Sequence, residues 1–179
     1  MTGAGGLLGA SVAAELARRG ARICLLGRSM HDLRATAAAL PPTAHTALLR
    51  CDLTSAGDVG SAADFVDRLG APVDVLVHAA GVRSTATVAT GSLESLDEHY
   101  LLNVRGPYLL TQRLLGSLAS SAGHVVFFTS PGSPDPGDAH HSISTAALSA
   151  LADEVRGEAS SRGVRVLSVD AEVDRVPDA

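Results

Sequence analysis

The sequence predicts an α/β fold built on a doubly wound parallel sheet, and three observations carry that expectation. Short apolar runs alternate with amphipathic stretches of 10–20 residues almost to the end of the chain, the pattern of βαβ units joined by right-handed crossovers. The run Val73-Asp74-Val75-Leu76-Val77-His78 is apolar on both faces, as strands covered by helices on both sides must be. A glycine cluster, residues 3–9, leads directly into the first helical stretch. A length of 179 residues suits a single domain, 1–179, with no internal repeat and no linker.

The elements follow in order. Residues 10–19 place Val12, Ala13, Leu16 and Ala17 at helical spacing, and Gly20 stops the helix. Residues 22–26 form a strand. Ser29 with Asp32 resembles a capping box, opening a helix through Leu40 that Pro41 and Pro42 end. A strand over 46–50 leads to Thr54 or Ser55, either of which would cap a helix reaching Leu69. After the strand 73–78, a long helix is expected over 93–119, kinked at Gly106-Pro107. A strand at 125–129, a helix at 142–160 and a strand at 164–169 complete the pattern. Residues 131–138, rich in proline and glycine, read as a mobile surface loop.

Composition narrows the chemistry. All 14 basic side chains are arginine, and the chain contains no lysine, which removes Schiff-base chemistry and a phosphate-binding lysine. A net charge of −5 speaks against a nucleic-acid or anionic-membrane surface. No apolar run approaches the roughly 18 residues of a membrane span, and no signal peptide is recognisable. Cys24 and Cys51 lie in strand-like runs and read as reduced thiols in a cytoplasmic protein. Arginine and alanine usage suggests a bacterial genome rich in GC.

Four local motifs bear on function. In Thr2-Gly3-Ala4-Gly5-Gly6-Leu7-Leu8-Gly9, the glycines would let the backbone approach a pyrophosphate at a helix N-terminus; the alternative is a flexible tail. Arg28 follows the strand 22–26 and a turn glycine, a position where an arginine suits a 2′-phosphate, or it is simply an exposed loop residue. Asp52-Leu53 follows the next strand, where the carboxylate would accept from an adenine amino group or else begin a helix. Ala79, Ala80 and Gly81, small residues at a strand's carboxyl end, would let a cofactor lie across the sheet. His78 before them reads as a strand-end histidine rather than a metal ligand, and the histidines show no zinc spacing. No G-x-S-x-G elbow surrounds Ser130, which argues against a hydrolase.

Together these residues resemble the short-chain dehydrogenase/reductase family over nearly the whole chain. Residues 2–9 look like its TGxxxGxG loop, with Leu7 where the middle glycine belongs. Asp52-Leu53 is similar to the adenine-site pair, and His78-Ala79-Ala80-Gly81 to the NNAG element. Asn103-Val104-Arg105-Gly106 looks like the helix with the active-site asparagine, at Asn103, and residues 125–130 like the strand ending in the active-site serine, at Ser130. The family's YxxSK falls on His141-Ser142-Ile143-Ser144-Thr145, so histidine stands for the tyrosine and Thr145 for the lysine.

The resemblance implies a Rossmann-like fold lacking its usual first strand, since Met1 alone precedes Thr2, and lacking the C-terminal lid and last strand. The missing first strand would leave two buried strand edges unpaired, and the coding region is expected to begin upstream of Met1. The loop after Ser130 is shorter than the family's, and Asp170-Ala171-Glu172 replaces its PG motif. The implied activity is oxidoreduction of a carbonyl or alcohol with NADP, NAD being the lesser alternative. Ser130 would polarise the substrate oxygen, Asn103 would hold a water or the helix geometry, and His141 would serve as acid/base. With the acid/base and its tuner replaced, activity is expected to be weak or lost. The alternative is a non-catalytic nucleotide-binding or subunit-partner module, a homo- or hetero-oligomer formed through helix 101–118.

Overall fold

A computed structural model describes residues 1–129 and 137–171. The breaker-rich segment expected as a mobile loop therefore falls, but for its last two residues, outside the described residues, as do Ser130 and Glu172. The order is α1 (Leu7–Arg18), β1 (Arg22–Gly27), α2 (Met30–Ala38), β2 (His45–Arg50), α3 (Ala56–Arg68), β3 (Val75–His78) and α4 (Leu93–Tyr100). A π turn, Leu101–Arg105, joins α4 to α5 (Gly106–Ser120); β4 (His124–Thr129), α6 (Ala139–Ala159) and β5 (Arg165–Asp170) follow. All ladders are parallel, and the alternation of strand and helix is the α/β pattern expected.

Several boundaries move for local reasons. α1 begins at Leu7 rather than at residue 10, because the Gly6 carbonyl already accepts the Ala10 N–H at 2.8 Å. Ser29 caps α2 by accepting from the Asp32 N–H, and Ser55 caps α3 by accepting from Asp58. The helix expected over 93–119 runs through a π turn, Leu101–Arg105, directly ahead of Gly106-Pro107. Pro107 has no N–H to return to the Asn103 carbonyl, and the widened turn absorbs the missing bond. A Cβ on Gly106 would lie 2.8 Å from Leu53 Cβ, so glycine permits the close approach. α6 starts at Ala139, three residues early, and so carries His140 and His141.

The sheet is divided. β1 pairs with β2, while β3, β4 and β5 form a separate ladder, as expected if the strand between β1 and β3 is missing. Residues 1–4 span the gap at one end only. The Thr2 N–H donates to the Val77 carbonyl at 2.8 Å, Leu26 N–H to Met1 at 2.9 Å, and Ala4 N–H to Leu26 at 3.2 Å. The Met1 ammonium donates to the Cys24 carbonyl at 2.8 Å, and burial lowers its pKa, opposed by Cys24. Beyond it a cleft of about 460 Å³ opens between Ile23 and Cys24 on β1 and Val75 and Leu76 on β3.

Helices cover both sheet faces. One core joins Leu53, Val59, Leu76, Leu110, Leu114, Leu118, Phe127 and Leu148. The other joins Ala13, Ile23, Leu25, Leu33 and Val77. α5 turns Leu110, Leu114 and Leu118 inward, so much of helix 101–118 is committed to its own domain. Cys24 and Cys51 are free thiols; burial, then Asp58 and Asp52, push Cys51 up to about 11.

His78 is a polar group buried within the core. Its ring stacks on Phe127 with centroids 4.9 Å apart, Nε2 lies 2.8 Å from the Thr111 hydroxyl, and Nδ1 is buried without a partner among the described residues. Burial, with a smaller push from the Met1 ammonium, lowers its pKa to about 3.

Two predictions follow from the divided sheet and its buried histidine. Five β-branched residues fused ahead of Met1 would extend residues 1–4 into the cleft, replace the buried ammonium with an amide and join the two ladders. Calorimetry should show Tm raised by about 5–10 °C over a polar extension of equal length. For His78, the unfolded state takes up a proton below about pH 6.5 while the folded state does not. Stability is therefore lost as pH falls below that value, by about 2 kcal/mol at pH 5. His78→Asn should be less stable at neutral pH but lose correspondingly less between pH 8 and pH 5 in urea titrations.

Candidate functional site

The carboxyl ends of β1, β2 and β3 face one another across the N-terminus of α1, and most of the sequence-predicted residues gather there. The loop 3–6 is shaped by contacts only glycine allows. Gly3 has φ 66°, and a Cβ on it would lie 2.5 Å from the Ala79 carbonyl carbon and the Ala80 nitrogen. A Cβ on Gly9 would meet the Gly3 oxygen at 2.1 Å, and one on Gly5 would meet Asp32 Cβ at 2.8 Å. The Thr36 hydroxyl, buried in α2, donates to the Ala4 carbonyl at 2.9 Å and ties the loop down. Gly6 caps α1 with no side-chain bond, so the first-turn N–H groups are not claimed by a cap. Leu7, 76% exposed, starts the helix.

Arg28 follows β1 with an exposed side chain, paired at 4.0 Å with the exposed Glu98. Such a pair contributes little. Asp52 follows β2 and makes an Asx turn, its Oδ1 accepting from the Thr54 N–H at 3.0 Å and the Thr54 hydroxyl at 2.8 Å. Those bonds, the backbone one foremost, hold its carboxyl below the usual range. Leu53 is buried in the core. Arg50, the last residue of β2, stands in register with Gly27, next to Arg28 in sequence. It is a second cation near Asp52 that sequence reading had not singled out.

Ala79, Ala80 and Gly81 continue from β3, and the Ala80 N–H reaches the Thr2 hydroxyl at 3.4 Å. Next comes a closed set of hydrogen bonds. Asn103, buried in the π turn, accepts the Val82 N–H through Oδ1 at 3.0 Å. Its Nδ2 donates to the Val82 carbonyl at 3.2 Å and to Ser144 Oγ at 2.9 Å. Ser144 Oγ donates to the His141 carbonyl at 3.0 Å. His141 Nδ1 lies 3.2 Å from the Val82 carbonyl, and its Nε2 is buried with no hydrogen-bond partner among the described residues. The structure thus brings Asn103 and His141 together through Val82.

Burial is the largest influence on His141 and lowers its pKa; the Val82 carbonyl opposes this, Arg83 lowers it, and Asp138 raises it. Thr145, one turn further on, is buried and donates its hydroxyl to the His141 carbonyl at 2.8 Å. Its side chain is spent on its own helix. Ser130 lies outside the described residues.

Around this set lies a polar cluster that the sequence did not reveal. Arg83 pairs with Asp138, whose residue is 4% exposed, and Ala86 bridges to Asp138 in parallel. His99 Nε2 is 3.3 Å from the Ser84 hydroxyl, and His140 Nδ1 is 3.1 Å from the Ser95 hydroxyl. The two rings meet edge to face at 5.6 Å. Only the adjacency of His140 and His141 was visible beforehand. Among the described residues no helix is long and apolar enough to cross a membrane.

Comparison with known proteins identifies the family. The chain is 30% identical over 178 residues to D-threitol dehydrogenase of Mycolicibacterium smegmatis, covering 97% of this chain and 68% of that one. It is 30% identical over 161 residues to carbonyl reductase family member 4 of Danio rerio, covering 89% and 68%. A metagenomic short-chain oxidoreductase crystallised with NADP superposes with a TM-score of 0.87 at 27% identity, covering 97% of this chain and 81% of that one. The family model for short chain dehydrogenases matches residues 1–173, and the chain belongs to that family.

Proposed function

We propose that the chain holds a nicotinamide dinucleotide, NADP in preference to NAD, over the carboxyl ends of β1, β2 and β3. With it the chain weakly interconverts an alcohol and a carbonyl in a small-molecule substrate, His141 and Thr145 standing where the family has tyrosine and lysine. The observation that carries this reading is the convergence of the glycine loop and the Asn103–Val82–His141 set on the strand end Ala79-Ala80-Gly81. Thr2, Gly3, Gly5 and Gly9 would shape the pyrophosphate seat, which the uncapped N-terminus of α1 suits. Asp52 and Leu53 would border the adenine. Arg28, with no partner closer than 4.0 Å among its ion pairs, would meet a 2′-phosphate.

When bound, the nicotinamide supplies or takes the hydride. The chain's own part is to place the substrate oxygen and move its proton. Ser130 would polarise that oxygen, His141 would exchange the proton, and Asn103 holds the Val82 carbonyl on which the His141 ring leans. Thr145 supplies no cation and is bonded to the His141 carbonyl, so nothing at that position tunes the acid/base or grips the nicotinamide ribose. The same bond favours a second reading, a nucleotide-binding subunit without turnover. Such a subunit would associate with a copy of itself or another subunit through helix 101–118, where Tyr108 is 49% exposed.

Fluorescence titration of the folded chain should show NADPH binding in preference to NADH. Arg28→Ala should weaken NADPH about tenfold, equivalent to about 1.4 kcal/mol, and leave NADH unchanged. His141→Tyr combined with Thr145→Lys should raise turnover about tenfold or more across a panel of alcohols and carbonyls. Dinucleotide binding without turnover in either protein would select the second reading. A chain that is folded by circular dichroism yet binds no dinucleotide would overturn both.

A further inference from the structure

Both walls of the cleft behind Met1 are strand edges, and the hydrogen bonds already made fix which groups turn into it. In a parallel ladder, successive residues offer their N–H and C=O to opposite neighbours. On β1, Cys24 and Leu26 bond to residues 1–4, while Gly27 bonds to Cys51 on the β2 side; Arg22 and Cys24 therefore border the cleft. On β3, Val77 accepts from Thr2 and Asp74 from His124 on the β4 side, so Val75 and Val77 border it. The Cys24, Val75 and Val77 N–H groups and the Arg22 and Val75 carbonyls have no hydrogen-bond partner among the described residues. Val73 is closed: its N–H donates to the Ser117 hydroxyl at 3.0 Å, and its carbonyl accepts from Ser121 at 2.8 Å. The cleft, about 460 Å³, has the size of a ligand site, roughly 300–1,000 Å³. Leu16 of α1 lines one side and Val66, Leu110 and Leu114 the other, so both cores meet there. Met1 is buried at one end. Its ammonium donates to the Cys24 carbonyl at 2.8 Å, and no carboxylate pairs with it among the described residues.

We infer that this cleft is a peptide-binding site, taking the last three residues of a separate apolar chain as a strand between β1 and β3, with the free carboxylate against the Met1 ammonium. The incoming strand lies in line with residues 1–4, which run parallel to β3, so its carboxyl end is the end that meets Met1. There the carboxylate accepts from the ammonium and from Val77 N–H, and the same residue donates its N–H to the Val75 carbonyl. The residue before it turns to β1, accepting from Cys24 and donating to Arg22. The third accepts from Val75 N–H. Three residues thus satisfy five open groups, the main chain supplying affinity and the alternate side chains specificity. Both faces of the strand meet apolar side chains, so all three residues must be apolar. The reverse direction would set a second ammonium against the first. An alkyl carboxylate matches the charge and the lining but leaves the Cys24 and Val75 edges unpaired. The cleft opens at the end of the sheet away from the glycine loop, and its occupancy is independent of dinucleotide binding.

The chain has no tryptophan, so the peptide acetyl-Trp-Ser-Gly-Val-Ile-Val with a free carboxyl end reports its own binding by fluorescence anisotropy. Amidating that end should weaken binding about tenfold or more. Proline in either of the last two positions should abolish it, because both must donate. Hydrogen exchange at the Cys24, Val75 and Val77 amides should slow about tenfold or more at saturation. The chain with five β-branched residues ahead of Met1 should not bind, since its own extension fills the cleft. Equal binding of acid and amide, tolerance of proline, unchanged exchange at those three amides, or binding by the extended chain would each overturn the inference. So would equal protection of the same amides by dodecanoate, or by self-association seen in ultracentrifugation without peptide, which would assign the cleft to a second copy. If circular dichroism shows the chain unfolded on its own, the peptide should fold it, and no gain in ellipticity would overturn the inference as well.

Discussion

Four main-chain hydrogen bonds made by residues 1–4 hold the two ladders of the sheet together, and the candidate site depends on them. Thr2 bonds to β3 while Met1 and Ala4 bond to β1, so this tetrapeptide bridges the two ladders. It lies at the carboxyl end of the sheet, where the glycine loop begins. The rest of the gap is bounded by strand edges whose amides have no ladder partner, and buried backbone groups left unpaired are costly. The end of the sheet that serves the site is thus stitched, while the opposite end is open.

That placement explains why the glycine loop is well formed although the sheet is not continuous. Gly3 packs on the Ala79–Ala80 peptide because Thr2 pairs with β3, and Gly9 packs on Gly3 because α1 starts directly behind the loop. Thr36 then fastens Ala4 from the far side. The same stitching buries the Met1 ammonium near His78, where its charge joins desolvation in keeping that ring neutral. A buried amine and a buried histidine whose Nδ1 has no partner among the described residues are two costs that the hydrophobic cores on either face must offset.

Much of the fold was legible in the sequence because strand and helix differ in period, and the residues ending each are glycines, prolines and capping serines. The shift of α6 to Ala139 was not legible, since it arises from the pairing of Ala86 with Asp138, 52 positions apart. The π turn was hidden for a related reason. Gly106-Pro107 shows locally that one helical hydrogen bond is lost, but the close approach of Gly106 to Leu53, which the turn accommodates, is not visible in the sequence. In the site, Asn103 and His141 could be named from motif order. Their connection could not, because it runs through the main chain of Val82, whose side chain carries no signal. Arg83 and Asp138, or His99 and His140, come together only once three separate segments have folded.

The outcome at position 145 shows how one side chain decides what its neighbours must do. A lysine there would extend beyond the helix and place a charge beside residue 141. Threonine is too short, and its hydroxyl turns back to the helix carbonyl at 2.8 Å. An imidazole at 141 then has to obtain its protonation state from what remains, namely burial, the Arg83–Asp138 pair and one carbonyl. Burial is the largest of these, and it favours the neutral ring. The carbonyl favours Nδ1–H, and it is held by an amide that cannot flip without opposing donor to donor at Val82. Tyrosine beside lysine would be tuned by charge, whereas histidine here is tuned by hydrogen-bond polarity and exclusion of water.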